Sequence, residues 1–131
     1  MNDIEKEIQA KGLTAPRITP AEIEANIASE HYFTAKHGIN GAMNEAELHQ
    51  RIPDAMAYAH GCRQLECLTF CVIMLKNGFI VTGESACAHP DNFDAEIGRM
   101  IAKTNALTKV WPLMGYALKD RLAHAGQSTP G

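Results

Sequence analysis

The sequence predicts an α+β fold, in which a small antiparallel sheet built on a β-hairpin at about residues 65–88 is packed by about three helices. The hairpin is indicated by two runs rich in Val, Ile, Phe, Thr and Leu on either side of Asn77-Gly78, which is the strongest short-range hairpin signal. The helices are indicated by a capped start at Thr19 and by helical apolar spacing after Asp91. A two-stranded hairpin is marginal alone, so helices or a second copy of the chain must cover it.

The turn predicts the register of the hairpin. A two-residue type I′ turn at Asn77-Gly78 pairs Met74 with Val81 and Cys71 with Glu84. Because side chains alternate across a strand, this register sorts the hairpin into two faces. One face carries Cys67, Thr69, Cys71, Thr82 and Glu84, and the other carries Phe70, Val72, Ser85 and Cys87. Both faces are largely apolar and both edges are free, so homo-oligomerisation is expected.

A helix is predicted to begin at Thr19, where Thr19-Pro20-Ala21-Glu22 forms a capping box with proline at the first helical position. Ile23 and Ile27 supply its apolar stripe, and Gly38 is the expected stop, about five turns later. The segment Glu30-His31-Tyr32-Phe33 then lies near the helix end. A glutamate next to a histidine suits acid–base chemistry, but adjacent helical side chains do not face each other.

A longer helix is predicted after the hairpin, with Asp91 and Asp94 in its first turn at the positive end of the helix dipole. Pro112 is expected to kink or restart this helix before its end near His124. Gly98 is expected to permit a close approach. The expected inward stripe consists of Phe93, Ile97, Met100, Ile101 and Leu107.

The 131 residues suit one domain at 19–124, preceded by a flexible, charge-rich lead at 1–18 and followed by a disordered tail at 125–131. Within the domain, residues 38–64 suit a broken helix or a lid-like loop equally well, because Pro53 interrupts the apolar spacing.

Charge and hydropathy exclude some classes of function. The formal net charge of −3 argues against a dedicated nucleic-acid binder, which usually carries a basic excess. No apolar run approaches the roughly 20 residues of a membrane-spanning helix, and the charged N-terminus lacks the apolar core of a signal peptide. A cytoplasmic protein without a membrane partner is expected.

The cysteines and the absence of known catalytic motifs argue against a metal centre or a familiar enzyme. Cys62, Cys67, Cys71 and Cys87 match no compact zinc-binding spacing, and the predicted register places Cys87 on the opposite face from Cys67 and Cys71. We therefore expect reduced, small apolar side chains, with no metal and no cofactor. The sequence also lacks a phosphate-binding glycine loop, a His-Glu-x-x-His motif and a Gly-x-Ser-x-Gly elbow.

The candidate ligand site is the predicted face that carries Thr69, Thr82 and Glu84. A carboxylate on such a face needs a hydrogen-bonding or cationic partner. A small anionic ligand would find backbone N–H donors at the helix start near Asp91, cations in Arg99 and Lys103, and hydroxyl-binding groups in Thr82 and Glu84. The alternative is that Glu84 meets Arg99 at a solvated rim and binds nothing.

Several stretches resemble a known family. They are TFCVIMLKNGFIVTGESACAHPDNFDAEIGRMIA, the later WPLMGYALKDRL, and the capped segment from Thr19-Pro20 through Glu30-His31-Tyr32-Phe33. From about Thr19 to Leu122 the chain resembles a family of small tailed-phage proteins of the gene-product forty-nine and gene sixty-six type. This resemblance implies a phage or prophage accessory gene expressed in the host bacterial cytoplasm. It carries no assigned catalytic residue.

Different classes of function remain open. One is a non-enzymatic protein that sequesters a small, nucleotide-like ligand or blocks a host factor, by analogy with phage proteins that counter host defence. A second is a hydrolytic or metal-assisted enzyme that uses Glu84, Asp94 and a histidine. A third is a DNA-binding or DNA-metabolism protein, for which the last helical region offers basic residues. Those residues are Arg99, Lys103, Lys109, Lys119 and Arg121.

Overall fold

The computed structural model describes residues 2–43 and 63–127. Their helices include α1 (Asn2–Ala10), α2 (Pro20–Ala25), α3 (Ala35–Met43) and α4 (Ala95–Gln127), with a short 3-10 turn at Pro90–Asn92. Their strands are β1 (Ile27–Thr34), β2 (Leu68–Leu75) and β3 (Ile80–Ala86), which form one antiparallel sheet in the order β1-β2-β3. This confirms the predicted α+β class, in which a hairpin forms two of the three strands.

The predicted capping box at Thr19 is confirmed, but the long helix expected after it is wrong. The Glu22 N–H donates to Thr19 Oγ1 at 3.1 Å, and the Thr19 N–H donates to Glu22 Oε2 at 3.4 Å. The helix ends at Ala25, and the next residues form β1, which pairs with β2. Pairing with an otherwise open edge outweighs local helical spacing here, and Tyr32, Phe33 and Thr34 suit a half-buried strand.

The hairpin lies where the sequence predicts it, but the type I′ turn is wrong. The Gly78 N–H donates to the Leu75 carbonyl at 2.9 Å, and the Leu75 N–H donates to the Phe79 carbonyl at 2.8 Å. Only Gly78 of this loop has a positive φ, at 90°. The connection is therefore a three-residue loop, in which a turn is followed by glycine in the left-handed region.

The longer loop shifts the pairing of β2 and β3 by one residue. Met74 pairs with Ile80, and Cys71 pairs with Gly83 rather than with Glu84. A shift by one residue moves every side chain of one strand to the other face relative to its neighbour. The predicted grouping of Thr69 with Thr82 and Glu84 is consequently wrong, because Thr69 faces the core while Thr82 and Glu84 face outward. The predicted separation of Cys67 from Cys87 is wrong for the same reason.

The core lies between the sheet and α4. The sheet contributes the buried residues Cys71, Ile73, Leu75 and Val81, and α2 contributes Ile23. The buried residues of α4 are Ala102, Ala106 and Val110. A Cβ on Gly83 would overlap the backbone of Ala102 and Ala106, and one on Gly98 would lie 2.9 Å from Thr69 Oγ1. The helix backbone thus packs directly against the edge strand β3 and approaches the start of β2 at Thr69.

The inward stripe predicted for the long helix is wrong in most of its members. Ile97, Met100 and Ile101 are 55%, 62% and 46% exposed, whereas Leu107 packs at the border of the core. The close approach predicted for Gly98 is confirmed by its contact with Thr69. The helix also continues through Pro112 instead of restarting there.

The two termini and the middle of the chain are described in part. Residues 2–10, in the predicted N-terminal lead, form α1, and a Glu5–Arg17 ion pair of 2.6 Å links α1 to the segment before α2. The Arg17 hydrogen bond lowers the pKa of Glu5. In the region predicted as a broken helix or lid, residues 38–43 belong to α3, and residues 44–62 lie outside the described part, as do 128–131 of the predicted tail. No helix within the described ranges has the length and hydropathy needed to cross a bilayer.

Candidate functional site

A cavity of about 240 Å³ opens where the end of β1, the start of β2 and the start of α4 meet. Its wall combines aromatic rings, hydroxyls and charged groups. The lining residues are Tyr32, Phe33, Thr34, His37, Glu66, Thr69, Phe93, Ala95 and Arg99. An aromatic pocket with a few convergent polar groups is the usual form of a small-molecule site.

Antiparallel pairing brings the end of β1 beside the start of β2 at this cavity. Thr34 pairs with Thr69 and Phe33 pairs with Phe70, so the last residues of β1 lie beside the first residues of β2. The Phe33 and Phe70 rings stack with centroids 5.3 Å apart and an angle of 28° between their planes. Offset stacking of this kind stabilises the sheet end beyond its buried area. Phe93 closes the cavity from the segment that leads into α4.

Thr34 and His37 orient each other at the start of α3. The His37 Nδ1 accepts a hydrogen bond from the Thr34 N–H at 3.1 Å, and the Thr34 Oγ1 accepts one from the His37 N–H at 3.3 Å. This arrangement is a capping box with histidine in the usual glutamate position. Because Nδ1 is an acceptor, the neutral ring carries its proton on Nε2.

The charges around the cavity leave one cation available. Glu66 is paired with Lys36, whose Nζ lies 3.0 Å from Glu66 Oε1. Arg99 is exposed, and it takes part in none of the ion pairs found among the described residues, 2–43 and 63–127. Ala95, the first residue of α4, also lines the cavity. Arg99 and the positive end of the helix dipole therefore lie at the same cavity.

A second polar cluster lies behind the cavity wall. The Tyr32 hydroxyl donates to Glu30 Oε2 at 2.9 Å, and Lys103 Nζ lies 3.3 Å from Glu30 Oε2 and 3.4 Å from Glu24 Oε1. Burial and the Glu30 carboxylate raise the pKa of Tyr32. Burial lowers the pKa of Lys103, but Glu30 and Glu24 outweigh it and raise that pKa overall. Lys103 is thus engaged by two carboxylates.

The predicted site residues lie in different places. Thr69 and Arg99 line the cavity, and Lys103 is connected to it through Glu30 and Tyr32. Thr82 and Glu84 lie on the outer face of β3, where Thr82 Oγ1 donates to Glu84 Oε1 at 3.4 Å and is 3.5 Å from Lys109 Nζ. The structure therefore brings together two of the five predicted residues.

Sequence reasoning missed most of the aromatic wall. Tyr32 and Phe33 fall in the stretch predicted as a helix, whereas the β-forming run Tyr32-Phe33-Thr34 is the signal that favours a strand there. No local signal marks His37 or Glu66, because they reach the cavity from segments that are distant in sequence. Within the described ranges, no three His, Cys, Asp or Glu side chains are grouped so as to hold a metal ion.

Comparison with known proteins identifies a family. A model of the phage protein (N4 Gp49/phage Sf6 gene 66) family matches residues 18–122. Searches of curated proteins and of solved structures found no match to the chain. The matched region includes β1, the hairpin and most of α4, and thus every strand of the sheet. The resemblance noted in the sequence is confirmed, and the protein belongs to the phage protein (N4 Gp49/phage Sf6 gene 66) family.

Proposed function

We propose that this phage protein is a non-enzymatic binding protein that takes a small anionic, nucleotide-like ligand into the cavity beside α4. The observation that carries the proposal is that Arg99 lines one cavity of about 240 Å³ together with three aromatic residues, Tyr32, Phe33 and Phe93. A guanidinium beside aromatic faces suits a ligand that combines a negative group with a planar ring.

The charge balance of the cavity favours an anion. Lys36 neutralises Glu66 at 3.0 Å, so Arg99 supplies the net positive charge of the wall. The first turn of α4 adds its dipole. Asp94 works against an anion, but its carboxylate accepts a hydrogen bond from the Ile97 N–H at 2.9 Å and lines a different cavity, beyond Phe93.

The size and polar groups of the cavity support a compact ligand. Its volume of about 240 Å³ lies below the range of about 300–1,000 Å³ typical of drug-sized ligands. One planar ring with a short anionic substituent fits this space better than a dinucleotide. Thr34, Thr69 and the Nε2–H of His37 offer hydrogen bonds of the kind that ribose-like hydroxyls or base edges use.

The separate positions of the carboxylates favour sequestration of a ligand over catalysis. Glu84, on the outer sheet face, and Asp94, at the start of α4, share no cavity, so the enzyme alternative lacks a common site for its carboxylates. His37 takes part in the helix cap, and Glu66 is held by Lys36. A protein that holds a nucleotide signal in the host bacterial cytoplasm would suit a phage accessory role against host defence, by analogy. Blocking a host protein is the alternative within the same class.

Self-association belongs to the same proposal. The second half of α4 presents Leu113, Tyr116 and Leu122 at 38%, 77% and 43% exposure. Contiguous exposed apolar surface is typical of protein interfaces, and Leu113 and Tyr116, three residues apart, lie on the same face of the helix. We therefore infer a homo-oligomer that forms through this part of α4 or through the hairpin.

The experiment that tests ligand binding starts from the purified protein. Denaturation followed by mass spectrometry is expected to release a nucleotide-like anion, and calorimetry with adenosine monophosphate as the probe gives a Kd for comparison of variants. Arg99→Gln is expected to weaken probe binding by more than about tenfold, or roughly 1.4 kcal/mol. The matched control is Arg121→Gln, which removes the same charge from an exposed position farther along α4.

A second control addresses the predicted outer-face site. Glu84→Gln keeps the shape of the side chain and is expected to leave probe affinity unchanged, because Glu84 lies on the outward side of β3. Equal affinities for Arg99→Gln and Arg121→Gln would refute the cavity as the binding site. A loss confined to Glu84→Gln would instead place the ligand on the outer face of the sheet.

A further inference from the structure

Two cysteines lie directly opposite each other at the open end of the hairpin. Cys67 immediately precedes β2 and Cys87 immediately follows β3, and the register that pairs Leu68 with Ala86 continues to this pair. The Cys87 N–H donates to the Cys67 carbonyl at 2.9 Å. Opposite residues of an antiparallel pair place their side chains on the same face, so the two thiols share the inner side of the sheet.

The backbone geometry of such a pair is compatible with a disulfide. Opposite residues have Cα atoms about 4.5 or 5.5 Å apart, and disulfides are usually found with Cα separations of about 4.4–6.8 Å. The Cys67 N–H bonds to the Gln64 carbonyl rather than across the hairpin. The pair is therefore tied by one cross-strand backbone hydrogen bond instead of two.

The two thiols also meet in one cavity. A space of about 180 Å³ is lined by both cysteines together with Thr69, Phe93 and Gly98, among others. Cys67 is 6% exposed and Cys87 is half-buried. Burial, and then the neighbouring Cys87 thiol, raise the pKa of Cys67. Cys87 is the more accessible sulfur, and Cys67 lies behind it as a protonated partner.

The other described thiol has a different environment. Cys71 is fully buried and lies opposite Gly83, so it has no cysteine across the strand. Cys67 Sγ and Cys87 Sγ each donate to a nearby backbone carbonyl, that of Arg63 at 3.6 Å and that of His89 at 3.1 Å. These contacts stabilise the reduced pair without separating the two sulfurs.

We propose that Cys67 and Cys87 form a redox modification site, which hydrogen peroxide converts into an intramolecular disulfide. The Cys87 sulfur attacks one peroxide oxygen, so that an S–O bond forms, the O–O bond breaks and water leaves with the thiol proton. The Cys67 sulfur then attacks the sulfenic sulfur, so that the S–S bond forms, the S–O bond breaks and a second water leaves with the Cys67 proton. The dithiol loses two electrons, and the peroxide is reduced to two waters.

The disulfide has an expected structural consequence. It closes the open end of the hairpin beside Thr69 and Phe93, which line both this cavity and the cavity that contains Arg99. A cross-link also reduces the freedom of the unfolded chain. The oxidised protein is therefore expected to melt at a higher temperature than the reduced protein. This site does not depend on whether a ligand binds near Arg99.

The test treats the folded, full-length protein with hydrogen peroxide under native conditions. Intact-mass spectrometry is expected to show a loss of about 2 Da that dithiothreitol reverses. Peptide mapping without reduction is expected to find one linked pair, Cys67 with Cys87. Thermal melting before and after dithiothreitol is expected to show the higher Tm in the oxidised sample.

Variants and alternative products make the result decisive. Cys87→Ser is expected to abolish the mass loss, whereas Cys71→Ala and Cys62→Ser, at the remaining two cysteines of the chain, are expected to retain it. Mapping of the wild-type protein does not depend on whether a variant folds. A link that involves Cys62, a dimer linked between chains, or irreversible addition of oxygen without a disulfide would overturn the proposal.

Discussion

The two sides of the first half of α4 differ in a way that reverses the usual link between side-chain size and burial. The inner side carries Gly98, Ala102, Ala106 and Val110, and its alanines and valine are completely buried. The outer side carries the larger Ile97, Met100 and Ile101, which are about half exposed. Gly83 explains the difference, because its missing Cβ allows the helix backbone to touch the strand. Close packing selects small residues, since each added methylene must displace a neighbour.

The largest effect is expected where helix and strand touch. A Cβ at Gly83 would overlap the backbone of Ala102 and Ala106, and backbone cannot rotate away as a side chain can. Gly83→Ala is expected to lower the free energy of unfolding by about 3 kcal/mol or more and Tm by more than about 10 °C. Thermal denaturation followed by circular dichroism measures this. An unchanged Tm would mean that α4 does not contact β3 so closely.

The second prediction compares the loss of stability when a buried or an exposed apolar side chain of α4 is shortened to alanine. Val110→Ala removes two methyl groups from a fully buried position and is expected to cost about 2 kcal/mol. Met100→Ala removes more apolar surface but from a side chain that is 62% exposed, so its cost is expected to stay within about 0.5 kcal/mol. Urea denaturation of both variants gives the two values. If Met100→Ala lowers the free energy of unfolding more than Val110→Ala does, the outer side of α4 is the packed one.

Two glycines of α4, one packed against the sheet and one with open space around it, test the importance of close packing with the same substitution, glycine to alanine. A Cβ on Gly98 would lie 2.9 Å from Thr69 Oγ1, whereas one on Gly115 has no atom within 4 Å. Gly98→Ala is expected to destabilise the protein by about 1 kcal/mol, the crowding outweighing the gain in helix propensity. Gly115→Ala is expected to stabilise it by up to about 1 kcal/mol. Changes of the same sign in both melting curves would contradict the packing described here.

The smallest effect on unfolding, and the largest on assembly, is expected from the far end of α4. Tyr116 and Leu122 are 77% and 43% exposed, so changing both to lysine should leave the folded chain intact. If this surface joins two chains, light scattering of the wild-type protein gives a multiple of 14.3 kDa, and the double variant gives a lower mass. Lys119→Gln, which changes a charge on the same part of the helix, is the control. A wild-type protein that is monomeric at micromolar concentration would rule out self-association.

Much of the fold was predictable because its signals are local. The Thr19 capping box, the Asn77-Gly78 hairpin and the acidic start of α4 each depend on residues within a few positions of one another. The strand β1 was not predictable in this way, since Ile23 and Ile27 also suit a helix. The type of turn was equally hidden, because Asn-Gly serves a two-residue loop and a three-residue loop. That one-residue difference decided on which face Glu84 and Cys87 lie.

The candidate site was likewise predictable only in part. Arg99 and Thr69 were predicted from their chemistry, and both line the cavity. Lys103 was predicted on the same grounds, but Glu24 engages it from α2 and Glu30 engages it from β1. Local chemistry identifies groups that are able to bind an anion. It does not identify which of them another charged side chain has already paired.

The sequence by itself determined the fold class, the positions of the hairpin and the long helix, and the phage family, because turns, caps and polar motifs are properties of neighbouring residues. Only the tertiary structure decided the third strand, the register, the inner side of α4 and the wall of the cavity. Each of these depends on segments that are far apart in the chain and meet through packing. In this protein, the contact between Gly83 and the backbone of α4 determines which side chains are small enough to lie inside.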